Sequence, residues 1–544
     1  RKGTTKQMIL HFFLLAILPL TVANSLWAPP MNVTIGAQFP IHKTARFNFM
    51  EDGGGRRRLA AFLLAIDQIN DKNDGFYDDL LPETELLFAK YDSKRNEGEA
   101  VVNAFYIWEQ AQAKVAIGPA SSGPSKQSQS VFKLPHVNIP QVSYSATSSG
   151  LSDASASPMF MRTAPSDVYQ AEIMASTAQL QGWTKVCIMS GTDAYSAAGA
   201  AAVSKELDKT NIQVLRMVSY EAETSSVEEQ IGQLKSAGCP IVILWAQSGD
   251  MKTIVVEADK QGLSASNPFY PTLFFTSEIT LGSFEDVCKD HVAECGRVFR
   301  GALCATPNFG PGTPSYKTIS DIWHAQIPKI GTTGGDRTSA AGCDNRTDVR
   351  GKGVWLVDHD VNSSTPDKCA AIDFNDYIKE EAEAYVAESS GDGRISMYVP
   401  FAYDATLMIA TGLHSLFTSD EWKTATTETD KETVYDGKNI YHHMLISEFD
   451  GFSGEVSFRC SDTKTCSNTP KEDITQQYYE GDRQAGTMDF FLWNYDGVEG
   501  NKFVKFGEFV PYNCFVQVIS MIDPICSSFN CAQLCPQLPQ EKEG

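Results

Sequence analysis

The chain has 544 residues, an apolar content of 42% and a formal net charge of -22 at pH 7. This length exceeds what one compact core holds and predicts two or three domains. The negative charge argues against nucleic acid or an anionic membrane surface as a partner, because basic patches supply the affinity for both. We interpret the excess of acidic over basic residues as a surface property that keeps the protein soluble.

The N-terminal segment predicts a secretory signal peptide over residues 1–23. Arg1, Lys2 and Lys6 precede an apolar run that extends from Met8 to Ala23. This run is interrupted and shorter than the roughly 20 apolar residues that a transmembrane helix needs. A signal peptide is therefore favoured over a signal anchor, and the mature chain is expected outside the cell.

Apolar strands and amphipathic helices alternate along most of the chain. Helical spacing covers residues 57–70, 167–180, 194–207, 226–237 and 250–262. Strand-like runs cover residues 85–91, 115–117, 140–144, 185–190, 213–220, 240–245 and 272–276. Such alternation predicts an α/β fold with parallel sheets covered by helices on both faces.

Two consecutive predicted strands end in small polar residues. The strand at 115–117 is followed by Gly-Pro-Ala-Ser-Ser, and the strand at 140–144 is followed by Ser145-Ala-Thr-Ser. Ligands of open α/β sheets bind at the carboxyl ends of strands, where helix N-termini also offer unpaired N–H groups to anions. This edge of the sheet is therefore the predicted binding site.

The thirteen cysteines that follow the leader predict disulfides, and their odd number leaves at least one outside an intrachain bridge. Cys187 lies in a predicted buried strand, and we interpret it as a buried free thiol. Local pairs are predicted for Cys460 with Cys466 and for Cys343 with Cys369, while Cys288, Cys295 and Cys304 are candidates to bridge one another or Cys239.

Several segments have the composition of surface structure. Three glycosylation sequons begin at Asn32, Asn345 and Asn362. Residues 331–369 are polar, carry two cysteines and two of these sequons, and predict a glycosylated, disulfide-tied insertion. Residues 514–544 form a cysteine-rich tail, and we expect neither a metal nor a cofactor.

The motifs IGPASS, IPQVSYSATSSGLSD and FMRTAPSD resemble those of the type I periplasmic-binding-protein fold. They are most similar to the Venus flytrap module of class C G-protein-coupled receptors, in the metabotropic glutamate receptor branch. The segments GWTKVCIMSGTDAYSAAGA, YDATLMIATGLHSLF and FDGFSGEVSF follow in the family order, so the resemblance covers residues 46–509.

This resemblance implies two Rossmann-like lobes with parallel central sheets, joined by a hinge of three crossovers. Lobe 1 would comprise residues 24–165 and 305–488, and lobe 2 residues 166–304 and 489–513. The tail from 514 resembles the start of the cysteine-rich linker that leads to the membrane in these receptors.

The resemblance also implies six ligand-binding residues. In the family, serine and threonine hydroxyls take the carboxylate of an α-amino acid, and acidic and tyrosine side chains face its ammonium group. The matching positions are Ser122, Ser145, Thr147, Asp167, Tyr195 and Glu278, where Glu278 stands in place of a family aspartate. From the residues alone, the hydroxyls are equally interpretable as helix and turn caps, Asp167 as a first-turn acid and Tyr195 as a packing aromatic.

The sequence departs from the glutamate branch in the distal pocket. The family's basic positions fall on Phe47, Glu51 and Thr433, with Lys431 nearby, and a further one falls near Ser283. Without cations, this pocket should disfavour an acidic side chain, because an unpaired buried carboxylate is costly. The run Arg56 to Arg58 either reaches the pocket or forms a solvated basic surface.

These features predict the extracellular ligand-binding domain of a cell-surface receptor, which senses a small zwitterion by cleft closure. The alternatives are a secreted or tethered binding protein without signalling and the ectodomain of a receptor guanylate cyclase. No nucleophile elbow, histidine pair at metal spacing or phosphate loop supports an enzyme. The resemblance further implies a homo- or heterodimer through lobe 1, with any membrane attachment in a segment beyond this chain.

Overall fold

A computed structural model gives the fold of the chain. It describes residues 29–45, 48–51, 53–265, 267–268, 271–277, 288, 290–310, 313–332, 355–356, 395, 397–460, 479–483, 488–494, 502–510 and 514–518. Outside these residues lie the predicted signal peptide, the sequons at Asn345 and Asn362, and Cys343, Cys369 and Cys466. The side chain of Cys460 is also outside the description.

Twenty strands are defined in the described part of the chain. They are β1 Asn32–Phe39, β2 His42–Ala45, β3 Asn48–Glu51, β4 Glu85–Asp92, β5 Val115–Ile117, β6 Gln141–Ser143, β7 Phe160–Arg162, β8 Lys185–Gly191, β9 Gln213–Tyr220, β10 Ile241–Trp245, β11 Leu273–Thr276, β12 Leu303–Pro307, β13 Trp355–Leu356, β14 Phe449–Gly451, β15 Gly454–Val456, β16 Phe458–Cys460, β17 Tyr479–Arg483, β18 Met488–Asn494, β19 Lys502–Val510 and β20 Cys514–Val518.

Helices connect and cover these strands. They are α1 Gly53–Asn70, α2 Glu97–Glu109, α3 Ser122–Phe132, α4 Asp167–Leu180, α5 Ala194–Leu207, α6 Glu228–Ser236, α7 Met251–Gln261, α8 Val292–Val298, α9 Pro314–Thr332, α10 Tyr398–Thr418, α11 Asp420–Thr424, α12 Glu428–Val434 and α13 Gly437–Leu445. The predicted helix bounds at 167–180 and 194–207 are confirmed. Ser166 caps α4, since its hydroxyl accepts the N–H of Val168.

The strands form two large sheets, which confirms the predicted α/β class. The first sheet has the order β13-β4-β1-β5-β6-β7-β17-β16, and the second has the order β20-β19-β18-β12-β11-β10-β8-β9. The strands from β1 to β7 in the first sheet and from β8 to β12 in the second pair in parallel, whereas β18 to β20 join the second sheet antiparallel.

The chain passes between the sheets three times. It leaves the first sheet after β7, returns after β12, and leaves again between β17 and β18. Strand β13, within the predicted insertion, pairs with β4 at the edge of the first sheet. Strand β20 extends the second sheet into the segment predicted as a cysteine-rich tail. We refer to the body around the first sheet as lobe 1 and the body around the second as lobe 2.

The core of lobe 1 depends on segments that are distant in sequence. Side chains of β1 and α1, including Ile35 and Phe62, share one apolar cluster with Phe401 and Tyr403 of α10. Helix α10 is buried along most of its length, as expected for its near-continuous apolar sequence. Lobe 2 has its own apolar clusters on the two faces of the second sheet.

The described residues of lobe 2 contain two disulfides, and one of them corrects the sequence-based interpretation of Cys187. Cys187 is bonded to Cys239 rather than being a free thiol, with a Cα–Cα distance of 5.8 Å. The pairing arises because β8 lies beside β10, with Cys187 opposite Val242, and Cys239 just precedes β10. The second bridge joins Cys288 to Cys295, which is among the predicted pairings, and Cys304 is buried.

Three further observations concern a glycosylation sequon, membrane-spanning helices and metal ligands. Asn32, the described sequon, is exposed at the start of β1, where a glycan can be accommodated. In the part of the chain that the structure describes, no helix combines the length and apolarity needed to cross a membrane. Over the same residues, no group of three or more His, Cys, Asp and Glu side chains is arranged to hold a metal ion.

Candidate functional site

Both sheets reverse their strand order at one point, and these points locate the cleft. In the first sheet β4 and β5 lie on opposite sides of β1, and in the second sheet β9 and β10 lie on opposite sides of β8. Ligands of open α/β sheets bind outside the carboxyl ends of strands at such reversals. Ser122 follows β5 and Tyr195 follows β8, so each lies at one of the two reversals.

The three predicted hydroxyl residues of lobe 1 come together beyond β5 and β6. Ser122 and Thr147 are buried, and Ser145 is half-buried. The Ser122 hydroxyl accepts the N–H of Ser148 at 3.2 Å, which leaves its O–H to donate. The Ser145 hydroxyl donates to the Ala120 carbonyl at 2.8 Å, so it retains only acceptor capacity. Ser122 thus suits an anion and Ser145 suits a cation.

Asp167 joins this group through the backbone. It is 2% exposed as the first residue of α4, and its N–H donates to the Thr147 carbonyl at 2.8 Å. This bond connects the first residue of a lobe 2 helix to the hydroxyl-rich segment of lobe 1.

Tyr195 is held firmly in lobe 2. The ring is 6% exposed and its centroid lies 6.2 Å from that of Trp245. Its phenol is 3.2 Å from the Ser277 hydroxyl, which follows β11, and its N–H donates to the Asp193 carboxylate at 3.1 Å. Glu278 is the next residue after Ser277 and lies outside the described residues.

One serine connects the two sides of the cleft. We call residues 143–152 the hydroxyl loop. Within it, Ser148 donates its N–H to Ser122 and its hydroxyl to the carbonyl of Ala194 in lobe 2, at 3.0 Å. Ser149 similarly donates to the Ala198 carbonyl at 3.3 Å. The hydroxyl loop therefore contacts Ser122 of lobe 1 and the first turns of α5 in lobe 2.

The lobe 2 side of the cleft edge is acidic. Asp193 follows β8 and caps α5, and the Gln247 amide also donates to it at 3.1 Å. Asp250 follows β10, is 5% exposed, and accepts the Tyr220 hydroxyl at 3.2 Å. Burial raises the pKa of Asp250 above its usual range, while hydrogen bonds from Glu223 and Tyr220 oppose the shift. Two carboxyl groups therefore lie beyond the carboxyl ends of β8 and β10.

The predicted distal positions are only partly described. Phe47, Ser283 and the side chain of Glu51 lie outside the described residues. Thr433 is exposed on α12, where its hydroxyl donates to the Thr429 carbonyl of its own helix at 2.8 Å. Lys431 lies over the Trp422 ring, 5.2 Å from its centroid.

The arginine run in α1 does not form a solvated surface, so that interpretation is wrong. Arg56 is only 6% exposed, and Arg57 and Arg58 are half-buried. The Arg58 guanidinium lies 4.8 Å from the centroid of the Tyr398 ring at the start of α10. The run is part of the packing between α1 and α10.

Sequence reasoning missed a buried arginine beneath the hydroxyl loop. Arg162 is fully buried at the end of β7, and its Nε donates to Asp482 of β17 at 2.7 Å. Its Nη1 donates to the carbonyls of Ala146 and Ser148, at 3.1 and 2.8 Å. The motif FMRTAPSD contains this arginine, but its partner in the ion pair lies 320 residues away and could not be inferred.

A second buried arginine lies next to the first. Arg483 ends β17 and donates to the Thr163 carbonyl at 3.0 Å and to the Ser453 hydroxyl at 2.6 Å. Ser453 in turn donates its N–H to Asp404 of α10 at 2.9 Å. Gly451 is required beside this carboxylate, because a Cβ there would lie 2.4 Å from an Asp404 oxygen.

The fold and the cleft define a two-lobed receptor ligand-binding module. Residues 57–465 match the family model described as receptor family ligand binding region. The chain belongs to this family. This family match confirms the predicted resemblance to the Venus flytrap of class C receptors.

Similar proteins include receptors from animals. The chain is 29% identical over 421 residues to the probable metabotropic glutamate receptor mgl-1 of Caenorhabditis elegans, covering 71% of this chain and 39% of that protein. It is 26% identical over 254 residues to human metabotropic glutamate receptor 8, covering 42% and 28%. It is 22% identical over 297 residues to the mouse extracellular calcium-sensing receptor, covering 46% and 26%. The matches thus span about two fifths or less of these receptors, and the relatives are receptors rather than enzymes.

Proposed function

We propose that this chain is the extracellular ligand-binding domain of a cell-surface receptor and that its cleft closes on a zwitterionic amino acid. The observation that carries the proposal is Ser148, which contacts Ser122 on one lobe and Ala194 on the other. A ligand held between these residues would stabilise the closed arrangement, and closure would be transmitted to a membrane module beyond this chain. The names of the two metabotropic glutamate receptors support an amino acid as ligand.

The donors and acceptors of the cleft suit the two charges of an α-amino acid. The free O–H of Ser122 and the N-terminus of α3 favour the carboxylate. The Ser145 lone pairs, the Asp167 carboxylate and the Tyr195 ring favour the ammonium group. Each charge-assisted hydrogen bond contributes about 1.5–3 kcal/mol, so loss of either charge should be readily measured.

Calorimetry with L-lysine and two analogues tests this assignment. Cadaverine lacks the carboxylate and 6-aminohexanoate lacks the α-amine, so each should bind at least about tenfold more weakly than lysine. The Ser122→Ala variant should weaken lysine binding by a similar factor. Ser130→Ala, at an exposed position of the same helix, is the matched control and should leave affinity unchanged. Equal binding of lysine and both analogues would contradict the proposal.

We also propose that lobe 1 pairs with a second copy of this chain. Val102 and Phe105 lie three residues apart on one face of α2 and are 45% and 40% exposed. Such a face suits self-association in a chain whose overall charge would otherwise keep copies apart. In sedimentation velocity, Phe105→Asp should shift the protein from dimer to monomer, whereas Leu180→Asp in lobe 2 should not. A monomeric wild type, or a dimer that tolerates Phe105→Asp, would contradict this interface.

A further inference from the structure

The buried Arg162 side chain contacts three separate parts of the receptor domain. Within the hydroxyl loop, it donates to the carbonyls of Ala146 and Ser148 and to the hydroxyl of Ser152. Its Nη2 donates to the hydroxyl of Ser166 at 3.1 Å. Its ion pair with Asp482 closes at 2.6 Å, with both side chains nearly inaccessible to solvent.

The hydroxyl loop, Ser166 and Asp482 belong to three different parts of the fold. The hydroxyl loop contacts Ser122 of lobe 1 and Ala194 of lobe 2, so it bridges the two lobes. Ser166 caps α4, the first helix after the chain leaves lobe 1. Asp482 lies one residue before Arg483, at the end of the last strand before the chain leaves lobe 1 again. Arg162 therefore joins the loop to two of the three interlobe connections.

The geometry points to Arg162 as a positioning residue that couples the hydroxyl loop to the hinge, so that ordering of the loop by a ligand also fixes the angle between the lobes. This inference rests on the proposed function, because it assigns the loop to a ligand. Its planar guanidinium supports the coupling, since five N–H donors in a fixed fork hold several acceptors in one relative geometry. A lysine in this place would keep the charge but would lose the fork.

Arg483 provides a matched comparison. It is 2% exposed, ends the neighbouring strand and contacts the first crossover through Thr163. Its other hydrogen-bond partners are Ser453 and the carbonyl of Glu455 in the hairpin of β14 and β15, rather than the hydroxyl loop. Replacing either arginine by lysine removes a buried guanidinium group. Only the Arg162 replacement removes hydrogen bonds to the hydroxyl loop.

Hydrogen exchange by mass spectrometry on the ligand-free protein tests the coupling. In Arg162→Lys, amides of residues 144–152 should exchange at least about tenfold faster than in the wild type, while residues 449–456 remain unchanged. Arg483→Lys should give the reverse pattern. Unchanged loop exchange in Arg162→Lys, or equal acceleration of both regions by both variants, would overturn the inference.

A binding measurement completes the test and separates it from the proposed function. L-Lysine affinity should fall at least about tenfold in Arg162→Lys and less than about threefold in Arg483→Lys. If the wild type binds no amino acid, the proposed function fails, while the exchange comparison still decides the coupling because it needs no ligand. Should Arg162→Lys fail to fold, Asp482→Asn and Ser152→Ala each remove one partner of the fork and should accelerate loop exchange in the same direction.

Discussion

Between pH 3 and pH 7, the wild-type chain should lose about 3 kcal/mol of stability relative to an Asp404→Asn variant. Burial raises the pKa of the Asp404 carboxyl to about 6, although the Arg483 charge and hydrogen bonds from Ser453 and Phe452 lower it. The ordinary pKa of aspartic acid is about 3.9. The folded chain therefore holds a proton that the unfolded chain releases in this window. The stabilisation is complete below pH 4 and lost as the pH rises through 6.

The size of the Asp404 pKa shift depends on two opposing effects, which are the desolvation of the carboxylate and its pairing with Arg483. Asp404 is fully buried in α10, and its contacts to Ser453 and Phe452 do not replace the water that a carboxylate would have outside. Arg483 reduces the cost of the charge without cancelling it. Each pKa unit corresponds to 1.36 kcal/mol, so a shift of about two units gives the expected difference.

Urea denaturation of both proteins at several pH values measures this difference. Other carboxylates titrate equally in the two proteins, so their contributions cancel in the comparison. Asp259→Asn is the control for the loss of a carboxylate, because Asp259 pairs with Arg297 at the surface of lobe 2, where an ion pair contributes little to stability. A wild type that gains stability relative to Asp404→Asn as the pH rises would mean that the Arg483 charge outweighs burial.

The second large effect concerns ligand selectivity. We expect L-glutamate to bind about a hundredfold more weakly than a neutral or basic amino acid such as L-glutamine or L-lysine. The positions that would carry cations in the glutamate branch are Phe47, Glu51 and Thr433. Carboxylates of Asp193 and Asp250 stand along the lobe 2 edge of the cleft. A second carboxylate on the ligand would thus lack a partner, at a cost of 2–3 kcal/mol.

Competition among these amino acids on the purified protein measures the ratio. Asp193→Asn should narrow the preference for lysine over glutamate, and Asp259→Asn, remote on α7, should not change it. Glutamate binding that is tenfold or more tighter than lysine binding would show either that the matched positions are shifted or that α1 supplies the cation. Separate alanine substitutions of Arg56, Arg57 and Arg58 then distinguish these causes. If α1 supplies the cation, one of these substitutions should weaken glutamate binding, whereas none should do so if the matched positions are shifted.

The parts of the fold that were predictable carry local signals. Helix α4 is marked by a serine cap followed by apolar residues, and α5 by an acidic cap, so their bounds follow from the sequence. The bond between Cys187 and Cys239 has no such signal. It depends on β8 and β10 lying side by side, and strand order cannot be deduced from apolar runs.

The same distinction applies to the candidate site. Ser122, Ser145 and Thr147 could be placed together because they follow consecutive strands of one parallel sheet. The Arg162 pairing could not, because Asp482 meets it through the pairing of β7 with β17, and 320 residues separate the two side chains in sequence. The burial of Arg56 was also missed, since charged runs are usually solvated and only packing against α10 reveals otherwise.

The placement of α10 and β17 has a consequence for how the chain is made. During synthesis, β8 to β12 emerge as one continuous stretch, so the parallel part of the lobe 2 sheet can assemble early. The apolar faces of β1 and α1 are covered only when Phe401 and Tyr403 are available, and these residues leave the ribosome after all of β8 to β12. The nascent protein therefore presents an open lobe 1 core to chaperones until α10 has emerged. A secreted fragment that ends before β17 would keep this core without its final strand.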